Sequence, residues 1–198
     1  PMLEGDERRL RFAFSLMFAL PGTPVLWYGE EIGMGDDLAQ PERNSVRAPM
    51  QWADVPNAGF STAPSERLLR PVIAEGPFGY RRVNVAAQRD LDGSLMDDLQ
   101  RLIRTRRACP EIGWGPCRVL ETGETGVLAL RYDWRGETVL IVHNFADRAV
   151  EARVRLEGMD RLRPLFGNSD DRSMRDAAEP IPLDPYGFRW FRAQGERR

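Results

Sequence analysis

Lysine is absent from this chain of 198 residues, so its 28 basic residues are all arginine. Against 30 acidic residues they leave a formal net charge of −2. A balance this close to zero argues against a nucleic acid partner, because such domains usually carry a basic face. Cysteine is scarce too: Cys109 and Cys117 lack C-x-x-C spacing, which argues against a zinc site and a disulfide framework. We expect no metal, no cofactor and a reducing, cytoplasmic environment.

Long hydrophobic runs are also missing. The apolar run at residues 12–20 follows three arginines and mimics a signal peptide, but Glu4 and Glu7 crowd its supposed positive region. Pro21 ends it well short of the ~20 residues that span a bilayer. We therefore expect a buried helix and no membrane association.

The first 115 residues have the pattern of an incomplete α/β fold. Helical spacing predicts helices at 6–20 and 94–109, the second capped by Ser94 with Asp97. Residues 23–28 form a short apolar run between prolines and glycines, which predicts a buried strand. No period persists from Gly29 to about residue 92, and a loop of this length is more often functional than idle.

After Gly115 the pattern changes to strands. Residues 127–134 and 137–144 flank Arg135-Gly136, a predicted hairpin turn. Apolar and charged residues alternate over 150–156, which predicts a sheet with one solvated face. We therefore expect two domains: an incomplete α/β domain at 1–115, and an antiparallel β-sandwich at 116–198.

Four stretches carry a family resemblance. PGTPVLWYGEEIGMGDD (21–37) resembles the eighth barrel strand and following loop of the α-amylase superfamily, glycoside hydrolase family thirteen. RNSVRAPMQWADVPNAGFS (43–61) is similar to a loop shared by that family's trehalose synthases and oligo-α-glucosidases. RVNVAAQRDLDGSLMDDLQRLIRTRR (82–107) resembles the last barrel helix, and YGFRWFR (186–192) resembles the final strand of the C-terminal β domain. The implied fold is the C-terminal remnant of a TIM (β/α)8 barrel followed by a β-sandwich.

The resemblance also implies a chemistry that this chain cannot perform alone. The family acts on α-glucosides with retention, which requires two carboxyl groups ~5–5.5 Å apart. Its catalytic Asp, Glu and second Asp all lie upstream of the segment matched here. We therefore expect a fragment without catalytic residues, whose partner is the missing N-terminal part of the barrel.

The resemblance places the candidate site residues in and before the loop at 43–52. Arg47 is expected to contact sugar hydroxyls or to lock the loop against Glu30 or Glu31. Those two glutamates are expected to bind sugar or an arginine, or to accept hydrogen bonds from backbone amides. Asn44 and Gln51 are candidates for donating to sugar oxygens or for capping turns.

Three functional hypotheses remain open. The first is part of a trehalose synthase-like enzyme that isomerises maltose to trehalose, so that maltose, trehalose or related α-glucosides are its substrates. The second is part of an α-glucosidase or oligo-1,6-glucosidase, in which water is the acceptor. The third is a non-catalytic β-sandwich module. The apolar segment at 12–28 distinguishes the first from the third, because a free module would expose it: a monomeric, protease-resistant chain favours the module, and aggregation favours the enzyme part.

Overall fold

The computed structural model describes residues 3, 5–168 and 173–195, and the chain divides into two compact units. The first unit comprises Pro1–Leu10 and Val25–Gln100, and the second comprises Arg11–Pro24 and Arg101–Arg198. The first carries the long loop, and the second carries the β-strands. Among the described residues, no helix has the length and apolar character needed to cross a membrane.

The predicted helices are present with shorter bounds. The α-helices are α1 (Glu7–Ala19), α2 (Val85–Gln88), α3 (Leu95–Arg107) and α4 (Glu111–Trp114). The amide of Asp97 donates to Ser94 Oγ at 3.1 Å, and the Asp97 carboxylate accepts from the amide of Gly93 at 3.2 Å. The first bond confirms the predicted Ser94 cap of α3, since it satisfies an amide that a helix start leaves free. The Asp97 carboxylate bonds the amide of Gly93 and not that of Ser94, so the reciprocal half of a capping box is shifted by one residue.

The long loop of the first unit has little regular structure, as expected. Its short 3-10 turns lie at Glu30–Ile32, Glu42–Asn44, Pro56–Gly59 and Ser65–Arg67. Helix α2 interrupts it and was not predicted, because four residues are too few to show a helical period. Ile32, Met50 and Val85 pack together as a small core that ties the loop's parts to α2.

The predicted buried strand at residues 23–28 is wrong. This segment belongs to no sheet, and the side chains of Val25 and Trp27 are 79% and 51% exposed. A parallel strand exists only by pairing with neighbouring strands. Every strand in the described part of the chain lies after residue 116, in antiparallel sheets. The apolar run therefore stays unpaired.

The second unit contains a sheet of six strands and a sheet of two. The strands are β1 (Cys117–Leu120), β2 (Val127–Trp134), β3 (Glu137–Asn144), β4 (Val150–Ala152), β5 (Arg161–Gly167), β6 (Arg175–Asp176), β7 (Ile181–Leu183) and β8 (Phe188–Gln194). The large sheet has the order β1-β2-β3-β8-β5-β6, the small sheet pairs β4 with β7, and all pairs are antiparallel.

Both sheets contribute to one hydrophobic core, which confirms the predicted β-sandwich. Leu140, Val142 and Phe191 from the large sheet lie in the same buried cluster as Val150 and Ile181 from the small sheet. The alternation over 150–156 is also confirmed, with the apolar positions buried and the charged ones exposed.

The predicted hairpin between β2 and β3 is present as well. Arg135 and Gly136 have φ values of 51° and 80°, the positive values that a type I′ hairpin turn needs.

Candidate functional site

The loop at 43–52 is fixed by its buried half. Ala48, Met50 and Gln51 are buried, whereas Arg47 and Trp52 are exposed. The hydroxyl of Tyr28 donates to the carbonyl of Ala48 at 3.1 Å, which ties residue 28 to the middle of the loop. A segment without a hydrogen-bond ladder needs such anchors, because its backbone polar groups have few other partners.

Gln51 anchors the loop through its side chain and its backbone. Its side chain is 0% exposed, and Nε2 donates to the carbonyls of Phe78, at 3.2 Å, and Val83. Its main-chain carbonyl accepts from the amide of Val85 at 3.0 Å. The structure therefore places Gln51 beneath the loop, with both amide hydrogens used by backbone carbonyls; a direct contact with sugar remains a prediction.

Glu30 and Glu31 both accept hydrogen bonds from backbone amides at the start of the loop. Glu30 Oε2 accepts from the amide of Trp27 at 3.0 Å, and Glu31 Oε2 accepts from the amide of Gly29 at 2.7 Å. Gly29 has a φ of 90°, a conformation that side chains disfavour. One of the interpretations left open for the glutamates, the structural carboxylate, therefore has direct geometric support, and a contact with sugar stays a prediction.

A cavity of about 440 Å³ opens beside the loop, entirely within the first unit. It combines charged, aromatic and aliphatic side chains: Glu31, Arg47, Arg70, Tyr28, Trp52, Phe60, Pro49, Met50, Leu68 and Leu69. The side chains of Trp52 and Phe60 are 47% and 51% exposed, which leaves ring surface available to a ligand. Aromatic surface beside a few polar groups is typical of small-molecule sites.

Of the predicted site residues, Arg47 and Glu31 line this cavity, whereas Glu30, Asn44 and Gln51 do not. The side chain of Arg47 makes no hydrogen bond or ion pair with the described residues, so it is not locked against Glu30 or Glu31. An unengaged guanidinium keeps its donors available to a ligand.

Arg70 is the charged cavity residue that the sequence did not predict. Its Nε and Nη2 both donate to Asn44 Oδ1, at 3.2 and 2.8 Å, so Asn44 fixes the direction of this guanidinium. The residues are 26 positions apart, and no local pattern links them. Asn44 thus acts on the cavity through Arg70.

A second polar cluster lies in the other unit and is closed to solvent. The indole of Trp190 donates to Ser15 Oγ at 2.9 Å, and Ser15 Oγ lies 2.9 Å from His143 Nε2. All three side chains are fully buried, and burial lowers the pKa of His143 to about 3. His143 is therefore a core residue, neutral at pH 7 and closed to solvent.

The acidic pair Asp36 and Asp37 has no ligand set around it. Within the described ranges, no group of three or more His, Cys, Asp or Glu side chains is arranged to hold a metal ion. Asp37 instead accepts a hydrogen bond from the amide of Ala39 at 3.2 Å, as in a turn.

Comparison with known proteins places this geometry in a family. Residues 3–115 match the family described as "Alpha amylase, catalytic domain". The chain belongs to the α-amylase family. Residues 136–192 match the description "Sucrose hydrolase-like, C-terminal domain". The recognised resemblance and the fold class, the end of a TIM barrel followed by a β-sandwich, are thereby confirmed.

Relatives and solved structures extend this result. The chain is 35% identical over 196 residues to the trehalose synthase/amylase TreS of Mycobacterium tuberculosis, and 37% identical over 194 residues to the trehalose synthase of Thermus thermophilus. These matches cover 96% of the chain but 33% and 20% of the relatives, so the chain spans a third or less of their length. The trehalulose synthase MutB from Pseudomonas mesoacidophila has the same fold over 94% of the chain and 38% of its own, with a TM-score of 0.77 at 20% identity.

Proposed function

We propose that this chain is the part of an α-glucoside-processing enzyme, most like trehalose synthase, that forms the acceptor side of the sugar pocket. The single observation that carries the proposal is the cavity beside the loop at 43–52, where the unengaged Arg47 lies among Trp52 and Phe60. A guanidinium spans two sugar hydroxyls, and aromatic rings cover the apolar face of a pyranose. Identities of 35% and 37% to trehalose synthases support this choice of substrate class.

Cleavage of the glucosidic bond depends on groups outside this cavity. Retaining glucosyl transfer needs a nucleophile and an acid/base ~5–5.5 Å apart. Among the described residues that line the cavity, the one carboxylate is Glu31, and its Oε2 already accepts from the amide of Gly29. The chain therefore supplies binding and enclosure. In an isomerase the loop holds the released glucose and excludes water, which requires no acid within it.

The proposal is tested with a chimera in which this chain replaces the matching third of the Mycobacterium tuberculosis relative. We expect the chimera to convert maltose to trehalose, and Arg47→Gln to lower the conversion about tenfold or more because it removes a charged donor to the sugar. Arg81→Gln is the matched control, since Arg81 is an exposed arginine of the same unit whose salt bridge with Asp54 lies outside the cavity. A folded chimera in which both variants behave alike would contradict the role of Arg47.

A hydrolase is the second candidate, and the half-exposed Trp52 and Phe60 favour it because they leave the cavity open to water. The same chimera decides between the two: glucose as the main product indicates hydrolysis, and trehalose indicates isomerisation. The purified chain on its own is expected to leave maltose unchanged. Turnover by the chain alone would show that it contains a catalytic pair after all.

A further inference from the structure

A left-handed turn at residues 57–59 lies between the two aromatic residues Trp52 and Phe60, which line the cavity. Asn57, Ala58 and Gly59 have φ values of 54°, 57° and 71°. Positive φ is unfavourable for residues other than glycine, and such strain persists only where surrounding contacts hold it. Strained backbone of this kind is concentrated at binding and catalytic sites, and here it separates two residues of one cavity lining.

The side chain of Asn57 holds this turn. Its Nδ2 donates to the carbonyls of Ser61, at 3.1 Å, and Ala63, at 2.7 Å, so both amide hydrogens are used by the backbone that follows the turn. Asparagine also tolerates the left-handed conformation better than most residues do. Asn57 is buried and lies outside the cavity lining, which separates its role from contact with a ligand.

The turn in its place fixes the backbone of both aromatic residues. The carbonyl of Ala58 accepts from the amides of Trp52, at 2.9 Å, and Ala53, at 3.1 Å. The carbonyl of Asn57 accepts from the amide of Phe60 at 2.9 Å. Backbone conformation limits the rotamers that a side chain can adopt, so these three bonds constrain both rings. Loosening of the turn is therefore expected to displace both rings at once.

We propose that Asn57 is a positioning residue of the sugar site: it holds the strained turn at 57–59, and the turn fixes Trp52 and Phe60 as the aromatic wall of the cavity. The proposal rests on the proposed function in one respect, that the cavity binds an α-glucoside. Asn57 acts on affinity without touching the sugar. A wall that is already held in place loses little freedom when a pyranose packs against it, and this preorganisation strengthens binding.

The test measures the affinity of the 198-residue chain for maltose by ligand-observed NMR. Asn57→Gly permits the positive φ but removes the two amide donors, and we expect it to weaken maltose binding about fivefold because the aromatic wall is no longer fixed. Asn57→Asp also tolerates the left-handed conformation and lacks the same donors, so it should weaken binding in the same direction. Circular dichroism of each variant confirms that it is folded.

Asn144 offers a matched control in the other unit. It is buried as well, and its Nδ2 donates to two backbone carbonyls, those of Arg148 at 2.7 Å and Asp184 at 2.9 Å. Asn144→Gly therefore removes the same kind of contacts from the β-sandwich. We expect it to lower the free energy of unfolding in urea and to leave the affinity for maltose unchanged, a separation that a purely structural role of Asn57 does not produce.

A second measurement reports the position of the Trp52 ring without any sugar. Incorporation of fluorotryptophan gives a fluorine NMR resonance for each of the five tryptophans, and Trp52→Phe assigns the resonance of Trp52 by its loss. We expect this resonance to shift in Asn57→Gly and Asn57→Asp, because the amide of Trp52 is bonded to the turn. It should stay in place in Asn144→Gly.

Three outcomes would overturn the proposal: an unmoved Trp52 resonance in both Asn57 variants, a maltose affinity equal to that of the unsubstituted chain in both, or an equal loss of affinity in Asn144→Gly. When the unsubstituted chain binds maltose, each of these outcomes removes the role of Asn57 and leaves the proposed sugar site intact. Absence of maltose binding by the unsubstituted chain overturns the sugar site and the proposal together.

Discussion

We predict that His143 makes the second unit sensitive to acid. Its ring is 0% exposed, and burial lowers its pKa to about 3 from the usual 6.5. Nε2 of the ring lies 2.9 Å from Ser15 Oγ, which also accepts from the indole of Trp190, and Nδ1 has no hydrogen-bond partner among the described residues. A charged imidazolium at this position would lack water and would lack a second acceptor.

The difference in pKa fixes the size and direction of the effect. Between pH 6.5 and 3 the unfolded chain binds a proton that the folded chain does not, so the free energy of unfolding falls as the pH falls through that window. Each unit of pKa difference corresponds to about 1.4 kcal/mol, which gives a total loss of about 5 kcal/mol. By pH 4.5, about 3 kcal/mol of this should already be lost.

The assay is urea unfolding of the full chain, followed by circular dichroism at pH 7 and at pH 4.5. We expect His143→Gln to be less stable than the unsubstituted chain at pH 7 but to lose about 3 kcal/mol less on acidification, since it has no group to protonate. Val142→Ala, a buried change on the same strand, is the matched control: it should lower stability at both pH values and keep the full pH dependence. An identical loss for His143→Gln and the unsubstituted chain would refute the assignment of the acid sensitivity to His143.

Three further predictions concern single contacts. Arg106→Gln should lower the free energy of unfolding by about 2 kcal/mol in urea titrations, because the guanidinium of Arg106 donates to three carbonyls at the end of α1. Arg192→Met should lower the free energy of unfolding by about 3–5 kcal/mol in the same assay, since it leaves the buried Glu111 without the guanidinium that lies 2.6 Å from it. The double variant with Glu111→Leu should recover most of this loss of stability. Gly29→Ala should lower the free energy of unfolding by about 2 kcal/mol, because the backbone has a φ of 90° there and a Cβ would lie 2.8 Å from Met34 Sδ. The same variant should weaken sugar binding measured by NMR.

Features that depend on local pattern were predictable. The cap of α3, the turn at Arg135 and Gly136, and the alternation over 150–156 each follow from a few neighbouring residues, and the structure confirms them. The prediction of a strand at residues 23–28 was wrong for a different reason. Its composition is that of a buried strand, but pairing is supplied by other strands, and a run of apolar residues does not encode its neighbours.

Only those parts of the candidate site that depend on local sequence were predictable. The loop at 43–52 was recognisable from its residues, and Arg47 and Glu31 do line a cavity. Arg70 could not be found, because its contact with Asn44 joins two stretches of the loop that share no period. The exposed Val25 and Trp27 fit the resemblance to a barrel strand and argue against a stand-alone module, which would leave this apolar surface in water.

Some side chains of the loop at 43–52 anchor it and others line the cavity, and this difference decides how its variants must be interpreted. Its amide and guanidinium side chains all suggest sugar binding, yet Gln51 donates to backbone carbonyls and Asn44 accepts from Arg70, whereas Arg47 lines the cavity with its guanidinium unengaged. Loss of activity on substitution of Gln51 therefore does not identify a sugar contact, because the loop itself loses its anchor. Loss of activity in Arg47→Gln at unchanged thermal stability does, since the guanidinium of Arg47 makes no hydrogen bond or ion pair with the described residues.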